Sequence, residues 1–230
     1  MIVKDIFNGS FASYYEKVIN RLSSPLYVNR WRRSLVRGAL ALKPEPEVVV
    51  DFCSGAGNVG EFLLQEVPEC KLINCDISLK LLKMAKERMG SRAYNVCSDN
   101  RFFPLKGNSI DILFSSFCVR NSPQIELTVR EAKRCLKKGG IWAVLDFFRV
   151  KERNFCTSAN EAIFKSFMEL NKFVSKENRK AIDYLFESIE KFMTVNEFKE
   201  LLFEEGFEVA EVKNFMGGIA STVIGIKREV

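Results

Sequence analysis

The chain has no histidine. That absence excludes Ser-His-Asp and Cys-His catalysis and any His-ligated metal. Asp, Glu, Tyr, Lys, Cys or an organised water remain as general bases. No apolar run approaches the roughly 20 residues of a membrane span, and residues 1–11 lack the basic and apolar regions of a signal peptide. Seven cysteines (Cys53, Cys70, Cys75, Cys97, Cys118, Cys135 and Cys156) form no C-x-x-C pair, and their number is odd. Neither a disulfide framework nor a zinc site is therefore expected, and a reducing cytoplasm is the natural compartment.

What is present fits one globular domain spanning 1–230, with 47% apolar residues to build its core. The net charge of +6 suits nucleic acid or an anionic membrane surface, but small-molecule enzymes are also this basic. Residues 10–37 read as helical and carry Tyr14, Tyr15, Tyr27 and Trp31 with a basic cluster of Arg30, Arg32, Arg33 and Arg37. Pro25 is expected to divide this stretch into two short helices. Together, residues 1–43 form an N-terminal helical cap.

From Val48 the pattern alternates. Strands are predicted at 47–52, 71–75, 93–97, 110–116 and 141–147, with helices at 58–66, 78–89 and 124–136 between them. Such alternation implies an α/β fold with a mostly parallel sheet and helices on both faces. Lys137-Lys138-Gly139-Gly140 reads as a basic, glycine-containing helix C-cap. Residues 154–193 break the alternation as a helical insert carrying Phe155, Phe164, Phe167, Phe173, Phe186 and Phe192, which either pack onto the sheet or line an apolar pocket. A helix at 194–205 and strands at 208–215 and 219–227, paired as a hairpin around Gly217-Gly218, close the chain.

The first strand runs into Asp51-Phe52-Cys53-Ser54-Gly55-Ala56-Gly57-Asn58-Val59-Gly60. Residues 55–60 match the G-x-G-x-x-G of dinucleotide sites, which would bind NAD. Asp51 argues against that reading, because a carboxylate at the strand end repels a diphosphate. The same carboxylate suits the cationic methionine end of S-adenosylmethionine (SAM), while Gly55, Ala56 and Gly57 let the backbone approach the cofactor. Asp76, with Ile77 beside it, ends the second strand, where its oxygens could accept both ribose hydroxyls. Asp99-Asn100 follows the third strand, where an acid could take the adenine amino group. Three acids at three successive strand ends are far more specific than any one of them.

Several segments carry a narrower likeness. Ser116-Phe117-Cys118-Val119-Arg120-Asn121 resembles the Ser-Phe-Gly-Leu-Arg-Asn of the ubiquinone/menaquinone biosynthesis C-methyltransferases. Ala12-Ser13-Tyr14-Tyr15-Glu16 resembles their Ala-Ser-x-Tyr-Asp, Asp76-Ile77-Ser78 their Asp-Ile-Asn, and residues 136–140 their Leu-Lys-Pro-Gly-Gly. Tyr184-Leu185-Phe186-Glu187-Ser188-Ile189 resembles their Tyr-Leu-x-Glu-Ser-Ile, and residues 214–220 their closing glycine-rich strand pair. This chain has Cys53 where the family commonly has Ala, Lys138 for its proline, Arg101 where an acid is usual, and no histidine in the last strand.

The resemblance implies a Rossmann-like seven-stranded, mostly parallel sheet with a C-terminal antiparallel strand pair. It also implies a SAM-dependent methyltransferase acting at carbon on a prenylated hydroquinone of the demethylmenaquinol type. SAM would be bound by Asp51, Gly55, Ala56, Gly57, Asp76, Ile77, Asp99, Asn100 and Ser116. Arg120, Tyr15 and Asn121 would be catalytic, Arg120 favouring the phenolate of an acceptor phenol whose reference pKa is about 10. The expected partner is a small lipophilic quinol or another small acceptor, with transient membrane-surface contact and a homodimer as further expectations. A phenol or lipid methyltransferase, an NAD-binding oxidoreductase and a non-catalytic SAM-binding module are the alternatives. Nucleic acid is not expected, because Asn121-Ser122-Pro123-Gln124 lacks the aromatic platform that holds a flipped base.

Overall fold

The computed structural model describes residues 24–151, 162–164, 166, 169 and 176–229. Seven strands form one sheet: β1 (Val48–Phe52), β2 (Lys71–Asp76), β3 (Ala93–Cys97), β4 (Ile110–Ser116), β5 (Leu136–Phe147), β6 (Phe207–Phe215) and β7 (Ala220–Lys227). Their spatial order is β3-β2-β1-β4-β5-β7-β6. The first five run parallel, and β7 enters antiparallel between β5 and β6. The Rossmann-like sheet with its antiparallel C-terminal pair thus stands as expected. Central strands are apolar along both faces, since helices cover each side. Val49, Val50, Ile112, Leu113 and Phe114 are fully buried.

Helices connect the strands: α1 (Ser24–Leu42), α2 (Asn58–Glu66), α3 (Leu79–Met89), α4 (Ile125–Cys135), α5 (Lys176–Lys191) and α6 (Val195–Glu204). Local chemistry sets their ends. The Ser78 side chain accepts from the Leu81 N–H at the start of α3. Thr194 and Glu197 form a reciprocal capping box on α6. One core cluster gathers Trp31, Leu35 and Val36 of α1 with Ile112, Phe114, Ala143 and Leu145 of the sheet. The other packs Val129 and Ala132 of α4 and Phe198 of α6 against Trp142 and Val144.

Two expectations are corrected. Pro25 is not one of them: it lies in the first turn of α1, where its missing N–H has no intrahelical acceptor to lose, and the stretch before α1 falls outside the described residues. The segment 137–140 does not cap α4. That helix closes on Leu136, whose N–H bonds to Ala132, and β5 begins at once. The glycines instead absorb a register shift between the pairs Ile110–Leu136 and Ile112–Ile141. Gly139 has φ +66°, and a Cβ on Gly140 would lie 2.7 Å from the Lys137 carbonyl oxygen.

The second correction concerns cysteine: Cys53 and Cys118, 65 residues apart in sequence, are joined by a disulfide. The pairing was illegible because it depends on β1 and β4 becoming neighbours. Of the insert's phenylalanines, Phe164 and Phe192 are buried core residues, packed on Phe147 and Phe148. Phe155, Phe167 and Phe173, like Tyr15 and most of the expected cap before α1, fall outside the described residues.

Candidate active site

The order of strands reverses between β1 and β4, the switch point at which an open α/β sheet offers a crevice for a ligand outside the strands' C-terminal ends. The glycine loop leaves β1. Gly55 and Gly57 take φ +54° and +77°, left-handed conformations that favour glycine. At Gly57 a Cβ would also fall 2.3 Å from the Met89 methyl. Gly57 is the N-cap of α2, so the loop presents the positive end of that helix.

Two acids are built into this loop. Asp51 is buried at the end of β1, and its Oδ2 accepts the Gly60 N–H at 3.3 Å in the first turn of α2. Asp76 ends β2, accepting the Gly55 N–H on Oδ2 at 2.9 Å and the Ser78 N–H on Oδ1 at 2.8 Å. One carboxylate thereby holds the glycine loop against the entry to α3. Ala56 is buried and Ile77 half-buried beside them.

Asp99 lies past β3 in a tight turn, with Asn100 half-buried at its tip. Arg101 grips both Asp99 oxygens, its Nε at 3.0 Å from Oδ1 and its Nη2 at 2.7 Å from Oδ2. The arginine that departs from the family pattern thus partly neutralises the third acid.

On the other side of the crevice, Ser116 ends β4 and accepts from Arg32 Nε at 3.5 Å. Arg32 is buried under the Phe117 ring, unlike Arg33 and Arg37 on the same helix, which are exposed. Arg120 lies in a short turn, Val119–Asn121, with its side chain fully enclosed. Its guanidinium pairs with Asp146 of β5, its N–H donates to Asp146 Oδ2 at 3.1 Å, and its Nε donates to Ser188 Oγ at 2.9 Å. Burial pushes the Asp146 carboxyl above the usual carboxylate range, against the pull of Arg120. Asn121 donates to the Phe117 carbonyl at 3.2 Å and accepts the Tyr184 hydroxyl at 2.9 Å.

Ser188 and Tyr184 both come from α5. The Arg120-Asn121 and Tyr184-to-Ile189 segments, 63 and 68 residues apart at their contacts, therefore meet side chain to side chain. Asp146 and Arg32 were not among the candidate site residues. The signal for Asp146 was a lone acid inside the apolar run of β5; for Arg32 there was only its position among other arginines.

Comparison with known proteins assigns the chain. The model of the ubiE/COQ5 methyltransferase family matches residues 1–227. The chain belongs to the ubiE/COQ5 methyltransferase family. It is a SAM-dependent methyltransferase.

It is 28% identical over 229 residues to a ubiquinone/menaquinone biosynthesis C-methyltransferase of Campylobacter jejuni, covering 97% of this chain and 96% of that one. It is 27% identical to the demethylmenaquinone methyltransferase of Thermotoga maritima, covering 84% and 83%. The mitochondrial 2-methoxy-6-polyprenyl-1,4-benzoquinol methylase of Caenorhabditis elegans is 31% identical, with 77% of this chain matching 64% of that relative. Among solved structures, the plantazolicin methyltransferase BamL, in complex with a triazolic desmethylPZN analogue and SAH, superposes with a TM-score of 0.71. That match covers 99% of this chain and 94% of BamL at 17% identity, a likeness of fold.

Proposed function

We propose that this ubiE/COQ5 family member methylates a ring carbon of a prenylated hydroquinone of the demethylmenaquinol type. The observation that carries the proposal is the docking of α5 on the Arg120-Asn121 turn, which joins two segments resembling the quinone C-methyltransferases in one contact network. Quinone-pathway relatives matching 84% and 97% of the chain support the same acceptor.

The donor set of the crevice fits SAM. Asp51 supplies a buried carboxylate beside the glycine loop, suited to an ammonium group and opposed to a diphosphate. Asp76, held at the loop by the Gly55 N–H, is the residue for ribose hydroxyls. Gly55, Ala56, Gly57, Ile77, Asn100 and Ser116 would complete the cofactor walls. Asp99 would meet the adenine with its charge already shared with Arg101. When bound there, SAM supplies an activated methyl group.

The chain's own task is to orient the acceptor and manage one phenolic proton. Arg120 and Asn121, with Tyr15, would orient the phenol or a water acting as base. Because Asp146 shares its charge, Arg120 offers a fixed dipole rather than a bare cation. Its effect on the phenol pKa is correspondingly weaker than that of an unpaired guanidinium. Positioning and in-line alignment then account for much of the rate.

A lipophilic tail would bring the enzyme to a membrane surface from the cytoplasm. A groove lined by Arg30, Arg33, Arg37 and Lys213, with Glu211 as its one acid among the described residues, supports transient contact with anionic headgroups.

The test is mass spectrometry of purified protein incubated with SAM and chemically reduced demethylmenaquinol. One added methyl on ring carbon is the expected product. SAM binding without that product would move the acceptor to another phenol or lipid.

A further inference from the structure

We propose that Cys53 and Cys118 form a reversible thiol–disulfide switch that sets the affinity of the cofactor loop. The pair sits at the reversal of strand order. Cys53 lies between Asp51 and Gly55 on the loop leaving β1, and Cys118 lies between Ser116 and Arg120 on the loop leaving β4. Phe52 pairs with Ser115 across the two strands, so both loops leave the sheet at the same level. The two Cα atoms are 5.7 Å apart, within the range a disulfide spans without backbone movement. Cys53 takes φ +51° and Phe117 φ +57°, conformations in which an L residue is held only by its surroundings. The crosslink is such a constraint, lying between the cofactor loop and the Arg120 turn. The chain also departs from the family pattern at both positions, with cysteine at each in place of Ala and Gly.

The other cysteines of the described core do not compete. Burial raises the Cys70 thiol, pushes Cys75 up to about 12 and Cys135 up to about 11, so none of the three is a thiolate near neutral pH. Cys118 is buried, whereas Cys53 is partly exposed and is the sulfur an incoming thiolate can reach. In the reductive direction, a small dithiol attacks Cys53 Sγ, the Sγ–Sγ bond breaks, and Cys118 leaves as a thiolate that takes a proton. The second thiol of the reductant then displaces Cys53, so two protein thiols form and the reductant becomes a disulfide. A low-molecular-weight disulfide runs the exchange backwards: it is reduced to two thiols as the protein bond forms.

With the bond intact, the glycine loop is pinned to the Arg120 turn and is pre-organised for SAM. With it open, ordering the loop falls to the binding step, and affinity drops. Linkage makes the effect reciprocal: SAM must bias the pair toward the disulfide by the factor that the disulfide gains in SAM affinity. The inference rests on SAM dependence and is independent of the acceptor.

The experiment is calorimetric titration of SAM into the full chain after equilibration with oxidised or reduced dithiothreitol, with non-reducing peptide mapping of each sample. Expected are a Cys53–Cys118 linked peptide only in the oxidised sample and a SAM Kd about fivefold or more higher after reduction. In the Cys53→Ala chain the Kd should be the same under both conditions. Wild type in its two redox states carries the test even if that variant misfolds. Failure of the linked peptide to form would overturn the proposal. So would a linked peptide with the same SAM Kd in both states, which would leave the bond a crosslink without a switch. Neither outcome bears on quinol methylation, which is read separately as product.

Discussion

Arg120 and Asp146 form an ion pair in which neither side chain is exposed to solvent. Such a pair contributes little net stability as a unit but leaves a costly orphan when broken. Asp146→Ala should therefore destabilise the fold by about 3–5 kcal/mol in urea unfolding. A double variant, Arg120→Met with Asp146→Leu, should regain most of that loss. If it also regains methyl transfer, Arg120 has no part in the reaction; a stable, inactive double variant is the expected result.

The Tyr184 hydroxyl reaches Asn121 from a helix otherwise distant in sequence. Removing it with Tyr184→Phe should cost about 0.5–1.5 kcal/mol of stability. The kinetic signature should be a raised KM for the acceptor with an unchanged calorimetric Kd for SAM. An effect on SAM instead would place α5 over the cofactor rather than the acceptor.

Asp76 holds the glycine loop through Gly55 and the α3 entry through Ser78. Asp76→Ala removes an acceptor from both N–H groups, and SAM affinity should fall by about tenfold or more, corresponding to the roughly 1.5–3 kcal/mol of a charged hydrogen bond. Asp76→Asn keeps the shape and one acceptor oxygen, and should lose less. Equal SAM affinity in wild type and Asp76→Ala would remove Asp76 from the cofactor site.

Asp111 lies outside this network and reports on acid stability. Burial raises its pKa, but the Val48 N–H and the Lys137 and Lys43 ammonium groups outweigh that and hold it below the usual range. A carboxylate with a depressed folded pKa stabilises above its unfolded value of about 3.9, and that contribution is lost as pH falls through the folded value. Asp111→Asn should lower Tm at pH 7, and the gap to wild type should close as pH falls below about 4. Thermal melts at pH 7, 5, 4 and 3 check the sign; a gap that widens on acidification would contradict it.

The proposed membrane contact predicts salt-sensitive binding. Arg30→Glu with Arg37→Glu should abolish co-sedimentation with phosphatidylserine-containing vesicles that wild type shows at low salt. Neither should bind pure phosphatidylcholine. Wild type that ignores anionic vesicles would leave the groove a solvated surface.

Much of the architecture was local and therefore legible. The pattern of apolar residues marked β1, β3, β4 and α2 at or within a residue of their ends; for β1 and β4 the reason is that burial on both faces leaves near-continuous apolar runs. The glycine loop and its acid were legible because left-handed backbone calls for glycine and a cation calls for a carboxylate. The 137–140 segment misled because Lys-Lys-Gly-Gly suits a helix end as well as a bulge, and only the pairing of β4 with β5 chooses between them.

The sequence by itself determined that this is an α/β methyltransferase without histidine chemistry, because periodicity, glycine placement and strand-end acids act over a few residues. Only the tertiary structure decided which charges find each other. Asp146 on Arg120, Arg32 under Phe117 and Cys53 on Cys118 each require loops or elements made adjacent by the fold. Side-chain partnership depends on distances of a few ångströms between residues that can be 65 positions apart, and the order β3-β2-β1-β4-β5-β7-β6 is what sets them.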